Sequence, residues 1–224
     1  MCGVIGVQLN NVENFDLEIV RTLFNKTMIR GKHAAGLTYL KNNELVTHKK
    51  NVPASAFIDE IDFGEFVDND GTLNLIGHIR YSTSDLRYPQ PFSSDEYSIV
   101  HNGVISQEHP STWKYKTETS NDSELILRSI EHNMDPLTDF RPSSMAVVTL
   151  SLAGRMVGFR NEARPLWHTK LSNGVIFTST KDIATRSGLT GSERCDMYKL
   201  YTCEAGLVTI NDIEGVPDVK DLQP

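Results

Sequence analysis

Cys2-Gly3-Val4-Ile5-Gly6-Val7-Gln8-Leu9 is the stretch that decides how this chain reads. Val4 to Leu9 is apolar and partly β-branched, the composition of a buried strand that begins at the third residue. The residue just ahead of the strand is a cysteine. Cys is small enough at position two to permit removal of Met1, which would leave a thiol and an α-amine on one residue. A thiolate is the nucleophile of cysteine chemistry, and an ordinary thiol titrates at about 8.5. An α-amine titrates at about 7.7–8.0. Such an amine can take the thiol proton, directly or through a water, and later return it to a leaving group. Taken alone, Cys2 reads first as a plain buried thiol at a strand start, so the remaining segments carry the decision.

Working outward, Asp16 to Arg30 has Leu17, Val20, Leu23, Phe24 and Met28 at helical spacing, with Gly31 as a C-terminal stop. Residues 36–40 and 44–48 flank Asn42-Asn43 and form a hairpin candidate. Leu73–Ile79 reads as a strand, and Tyr97–Ile105 as another with a turn inside. A helix is expected from Asp122 to His132, with Asn121 as N-cap and Glu124 completing a capping box. Met145–Leu150, Met156–Phe159, Val175–Thr178 and Gly206–Ile210 read as strands, interrupted by a short helix at Lys181–Arg186. Strands outnumber helices and connections are short, which fits an α+β fold of two antiparallel sheets with helices outside.

Five short motifs follow one another in order: Cys2-Gly3-Val4-Ile5-Gly6, Arg30-Gly31-Lys32-His33-Ala34-Ala35-Gly36, Gly77-His78-Ile79-Arg80-Tyr81-Ser82-Thr83, His101-Asn102-Gly103-Val104-Ile105 and Asn121-Asp122-Ser123-Glu124. Together they resemble the class II glutamine amidotransferases, Ntn-type hydrolases with an N-terminal cysteine. The likeness is to glutaminase domains such as those of glucosamine-6-phosphate synthase and amidophosphoribosyltransferase. The resemblance implies a four-layer αββα sandwich and hydrolysis of the glutamine side-chain amide through a Cys2 thioester, giving glutamate and ammonia. The family's usual acid in the Arg-Gly motif is His33 here, which puts the local hydrogen bonding in question.

The residue chemistry agrees with that resemblance. An oxyanion needs preorganised donors, and the Asn102 side-chain amide with the Gly103 N–H forms such a pair, although Asn-Gly is more often a hairpin turn. A guanidinium takes a carboxylate in a bidentate fork. Arg80 is the candidate for the α-carboxylate of glutamine and Asp122 for its α-ammonium. Tyr81 and Thr83 are further candidates for substrate contact. Arg30 and His78 are read as structural support. The segment Ser84 to Ser94 matches the loop that closes over glutamine in the family. Asn161-Glu162-Ala163-Arg164-Pro165-Leu166 resembles a family segment that packs the second sheet.

Composition excludes several other classes. The formal net charge of −7, from 22 Lys and Arg against 29 Asp and Glu, argues against a broad nucleic-acid surface. No run of about 18 apolar residues or signal-peptide pattern occurs, so no membrane span is expected and the cytoplasm is the default location. The cysteines Cys2, Cys195 and Cys203 match no zinc spacing, and no nucleotide-binding glycine motif is seen. No metal or cofactor is expected. Residues 2–224 are read as a single glutaminase domain without a fused synthase domain, so a separate synthetase or transferase subunit would receive the ammonia. Two alternatives remain: a hydrolase of another γ-glutamyl amide, or a catalytically silent binding or regulatory subunit.

Overall fold

The computed structural model describes residues 2–81 and 87–213. The elements in chain order are β1 (Gly3–Leu9), α1 (Asn14–Thr27), β2 (Ala34–Lys41), β3 (Glu44–Lys50), α2 (Ala54–Ile58), β4 (Leu73–Arg80), β5 (Phe92–Ser93), β6 (Tyr97–Val104), α3 (Glu124–Glu131) and α4 (Pro136–Asp139). After these come β7 (Ser144–Ser151), β8 (Met156–Arg160), β9 (Trp167–Leu171), β10 (Gly174–Thr178), α5 (Lys181–Arg186), β11 (Glu193–Arg194), β12 (Lys199–Glu204) and β13 (Leu207–Asp212). One antiparallel sheet has the order β11-β9-β10-β1-β4-β2-β3 and the other β13-β12-β8-β7-β6-β5.

Side-chain alternation along β1 explains the layering. Ile5, Val7 and Leu9 join Val20, Leu23 and Phe24 of α1, Phe57 of α2 and Ile183 of α5 in one apolar cluster. Val4 points the opposite way and joins Ile76 of β4, Val100 of β6 and Val148 of β7 in a second cluster between the sheets. A third cluster sets Ile126 and Leu127 of α3 and Leu137 of α4 against Met145 and Val147 of β7. Three interlayer cores define four layers: helices, sheet, sheet, helices. The αββα expectation is met.

The sheets approach closely at Gly6, where a Cβ would stand 2.8 Å from Val148 Cγ1, and at Gly158, where one would stand 2.6 Å from Phe177 Cε1. On the opposite face of the same sheet, a Cβ at Gly77 would stand 2.5 Å from Phe24 Cζ. Buried Gln8 satisfies itself between the sheets by donating to the Gly154 carbonyl at 2.9 Å and the Cys203 carbonyl at 3.3 Å.

Several local expectations change. The first helix ends at Thr27, and Met28–Arg30 is a single 3-10 turn. Gly31 does not supply a left-handed cap: its φ is −179°, and it is small because the Arg80–Tyr81 peptide passes directly against it. Asn42 and Asn43 form the expected hairpin turn, with φ of 51° and 59°. No turn interrupts β6, which pairs with β7 from Tyr97 to Val104. Glu124 does not close a capping box on α3. Its carboxylate accepts the backbone N–H groups of Glu118 and Thr119, each at 2.8 Å, and pairs with Arg128. No helix among the described residues is long and apolar enough to cross a membrane.

Candidate active site

Cys2 lies one residue ahead of β1, where Gly3 pairs with Ile79, so the register carries Cys2 opposite Arg80 at the end of β4. Parity places its side chain on the side of Val4, facing the space between the sheets. The Cys2 thiol is half-buried and 3.8 Å from the Tyr81 carbonyl oxygen. Arg30 donates through Nε to the Cys2 carbonyl at 3.3 Å, while its Nη2 is buried without a hydrogen-bond partner. Burial lowers the pKa of the Arg30 guanidinium, and proximity to Cys2 opposes that shift. Arg30 therefore ties the end of the first helical segment to the backbone of Cys2.

His78 also points between the sheets and is fully enclosed. Burial holds its imidazole at about 3, with Arg80 and His101 adding to the shift. It stays neutral at neutral pH. Tyr81 is half exposed and its ring lies 5.1 Å from that of His33. His33 thus supplies an aromatic neighbour where an acid was expected. Thr83 lies outside the described residues, as does part of the segment beginning at Ser84.

Asn102 shares the inward parity of Val100 on β6 and is 2% exposed. Its Nδ2 is buried and has no hydrogen-bond partner. An unmade bond of this kind costs about 1–3 kcal/mol. Gly103 follows with φ of +155°, and a Cβ there would collide with the Ser144 carbonyl. The Met145 backbone N–H donates to Asn161 Oδ1 at 3.0 Å and its carbonyl accepts the Asn161 N–H at 3.1 Å. Both polar groups of Met145 therefore point toward β8, away from its β6 partner Gly103. By ladder alternation, the N–H groups of His101 and Gly103 face the other edge of β6. The His101 N–H is taken there by Gln90 Oε1 at 2.7 Å.

Arg80 and Asp122 line one cavity of about 320 Å³, together with Tyr88, Ser106, Asn121 and Trp113. Arg80 Nη1 donates to the Tyr88 carbonyl at 2.8 Å, which also accepts from Asn121 Nδ2 at 3.2 Å. Asp122 Oδ2 accepts the N–H groups of Ile105 and Ser106 at 2.6 and 3.1 Å. A cation and an anion thus face one space of amino-acid size, while Cys2, Asn102 and Gly103 are not among the residues lining it. Sequence reasoning missed Gln90, Ser123 and the Tyr88 carbonyl. Ser123 lies inside the Asn121–Glu124 motif, and Tyr88 and Gln90 inside the Ser84–Ser94 segment, but neither signal gave them a role of their own.

Two facing antiparallel sheets between helical layers, with a cysteine at the head of a central strand, define an Ntn-type hydrolase fold. A similar fold occurs in glutamine phosphoribosylpyrophosphate amidotransferase from B. subtilis, with a TM-score of 0.73, 17% identity, and 94% of this chain and 49% of that one covered. In sequence, the chain is 26% identical over 167 residues to glutamine–fructose-6-phosphate aminotransferase of Oceanobacillus iheyensis, covering 70% of this chain and 26% of that protein. It is 26% identical over 147 residues to 7-cyano-7-deazaguanine synthase of Saccharolobus solfataricus, covering 60% and 31%. No protein-family model matches the chain. The chain spans between a quarter and a third of the length of these two curated relatives. It is a relative of the class II glutamine amidotransferase domains, which are enzymes that hydrolyse glutamine.

Proposed function

We propose that this chain hydrolyses the side-chain amide of glutamine through Cys2, with Met1 removed, and passes the ammonia to a separate synthetase or transferase. The observation that carries this reading is the buried, unpartnered Nδ2 of Asn102, next to a glycine N–H turned to the open edge of β6. A buried donor left unsatisfied beside a second N–H is what a developing oxyanion requires.

The chemistry then follows in order. The α-amine of Cys2 takes the thiol proton and Sγ attacks Cδ of glutamine. The carbonyl oxygen becomes an oxyanion held by Asn102 Nδ2 and the Gly103 N–H. The ammonium group returns its proton to the amide nitrogen, the C–N bond breaks and ammonia leaves a γ-glutamyl thioester. Water, deprotonated by the same amine, attacks the thioester; glutamate leaves and Sγ recovers its proton. Arg80 receives the α-carboxylate and Asp122 the α-ammonium, which fixes free glutamine at both charged ends.

Glutamate release by purified protein, with the intact mass of the same sample, tests the reading. Release that requires loss of Met1 and disappears in Cys2→Ala supports it. A fully processed chain that neither releases glutamate nor is alkylated at Cys2 by diazo-oxo-norleucine overturns it.

A further inference from the structure

Gln90 is 5% exposed, and its side chain makes a two-point bridge to the backbone of one residue. Its Oε1 accepts the His101 N–H at 2.7 Å, and its Nε2 donates to the His101 carbonyl at 3.1 Å. The amide orientation is fixed by chemistry, because a backbone N–H can only donate and a carbonyl can only accept. Nε2 also donates to Ser123 Oγ at 3.1 Å. Ser123 Oγ lies 2.8 Å from His101 Nδ1, and His101 Nε2 lies 3.2 Å from the Ser144 carbonyl. That carbonyl requires a proton on Nε2, so Nδ1 accepts from the Ser123 hydroxyl. The network therefore has one direction, Gln90 to Ser123 to His101 to Ser144.

The bridge lies where a strand ends. β5 pairs with β6 only at Ile99 and Ser98. The next N–H on that edge belongs to His101 and the one after it to Gly103. Gln90 meets the first with its side chain in the manner of a neighbouring strand. The backbone of Gln90 is itself seated, since a Cβ on Gly36 would run into the Gln90 carbonyl. Two residues earlier, the Tyr88 carbonyl holds Arg80 and Asn121. Ser123 directly follows Asp122.

We propose that Gln90 is a positioning residue: its side-chain amide closes the edge of β6 at His101 and leaves the Gly103 N–H turned to the substrate oxygen. This rests on the glutaminase reading for its catalytic consequence. Gln90→Glu keeps the shape and the acceptor but sets an oxygen against the His101 carbonyl. Gln90→Met keeps the bulk and removes both bonds.

The test is steady-state glutamate release by wild type, Gln90→Glu and Gln90→Met from pH 5 to 8, with amide exchange by NMR on the wild type. The expected result is a kcat lowered roughly 10–100-fold in both variants, the scale of a small misplacement of a catalytic group, with KM much less changed. In Gln90→Glu, kcat recovers as pH falls, because a protonated acid can again donate to the His101 carbonyl. The His101 N–H exchanges slowly and the Gly103 N–H fast. Wild-type kcat in both variants overturns the proposal. So does a Gly103 N–H as protected as that of His101, whether or not the variants fold. A fully processed wild type that neither releases glutamate nor is alkylated at Cys2 by diazo-oxo-norleucine, with slow His101 and fast Gly103 exchange, sinks the glutaminase reading and leaves the bridge standing.

Discussion

A side chain on Gly103 would be driven into the carbonyl oxygen of Ser144, and the φ of +155° at Gly103 is one that L residues rarely adopt. The strand therefore keeps its pairing with β7 only because position 103 carries no Cβ. Gly103→Ala is expected to lose glutaminase activity and to unfold at lower denaturant, by about 1–3 kcal/mol of backbone strain. Equilibrium urea unfolding beside glutamate release checks both; an alanine variant of native stability and full rate would contradict this account.

Asn102 should behave in the opposite way. Its Nδ2 contributes no hydrogen bond to the fold, so Asn102→Ala is expected to change stability by less than about 1 kcal/mol, since loss of an unmet donor offsets the small cavity. Its kcat should fall by roughly 10²–10³, the usual cost of one oxyanion donor. A parallel measurement of melting and turnover separates the two effects. Equal losses in both would assign Asn102 to the fold.

Asp122→Asn retains an acceptor for the Ile105 and Ser106 N–H groups while removing the charge that faces Arg80 across the cavity. A hydrogen bond to a charged group is worth about 1.5–3 kcal/mol. KM for glutamine should therefore rise roughly 10–100-fold with kcat much less affected. Arg80→Lys should show the same pattern. An unchanged KM in both would place the amino-acid head elsewhere.

Two imidazoles set an acid limit to stability. Burial holds His78 at about 3 and His101 at about 4, against 6.5 for a free imidazole. Between these values the unfolded chain binds protons that the folded chain refuses. Stability contributed by the neutral rings is complete above about 6.5, falls as pH is lowered, and is gone below the folded values. Unfolding free energy should drop by several kcal/mol between pH 6.5 and 4, with carboxylates adding their own share. His78→Gln should flatten that slope by close to one proton. A slope identical to wild type would mean that His78 titrates normally.

Much of the site was legible because its chemistry is local in sequence. A cysteine ahead of an apolar strand, an Asn-Gly pair and the Asp122 that precedes α3 each offer a candidate role by residue type, and it is their order along the chain that joins them into one proposed site. The helix Lys181–Arg186 and the Asn42-Asn43 hairpin were readable for the same reason, since capping and turn geometry are set by a few adjacent residues. Asn102-Gly103 misled in the other direction. Local preference favours a turn there, and pairing with β7 overrode it.

The sequence by itself determined the alternation of β1, which sends Ile5, Val7 and Leu9 to one layer and Val4 to another, because side chains of a strand take opposite faces whatever surrounds them. It also determined which residue types were on hand for a nucleophile, an oxyanion and two charged substrate ends. Only the tertiary structure decided that Gln90 meets His101, that Glu124 serves residues 118 and 119 rather than its own helix cap, and that Gly31 is small for the passage of the Arg80–Tyr81 peptide. Those pairings join segments with no shared local signal. They exist because burial leaves each polar group a choice only among the partners that packing brings within reach.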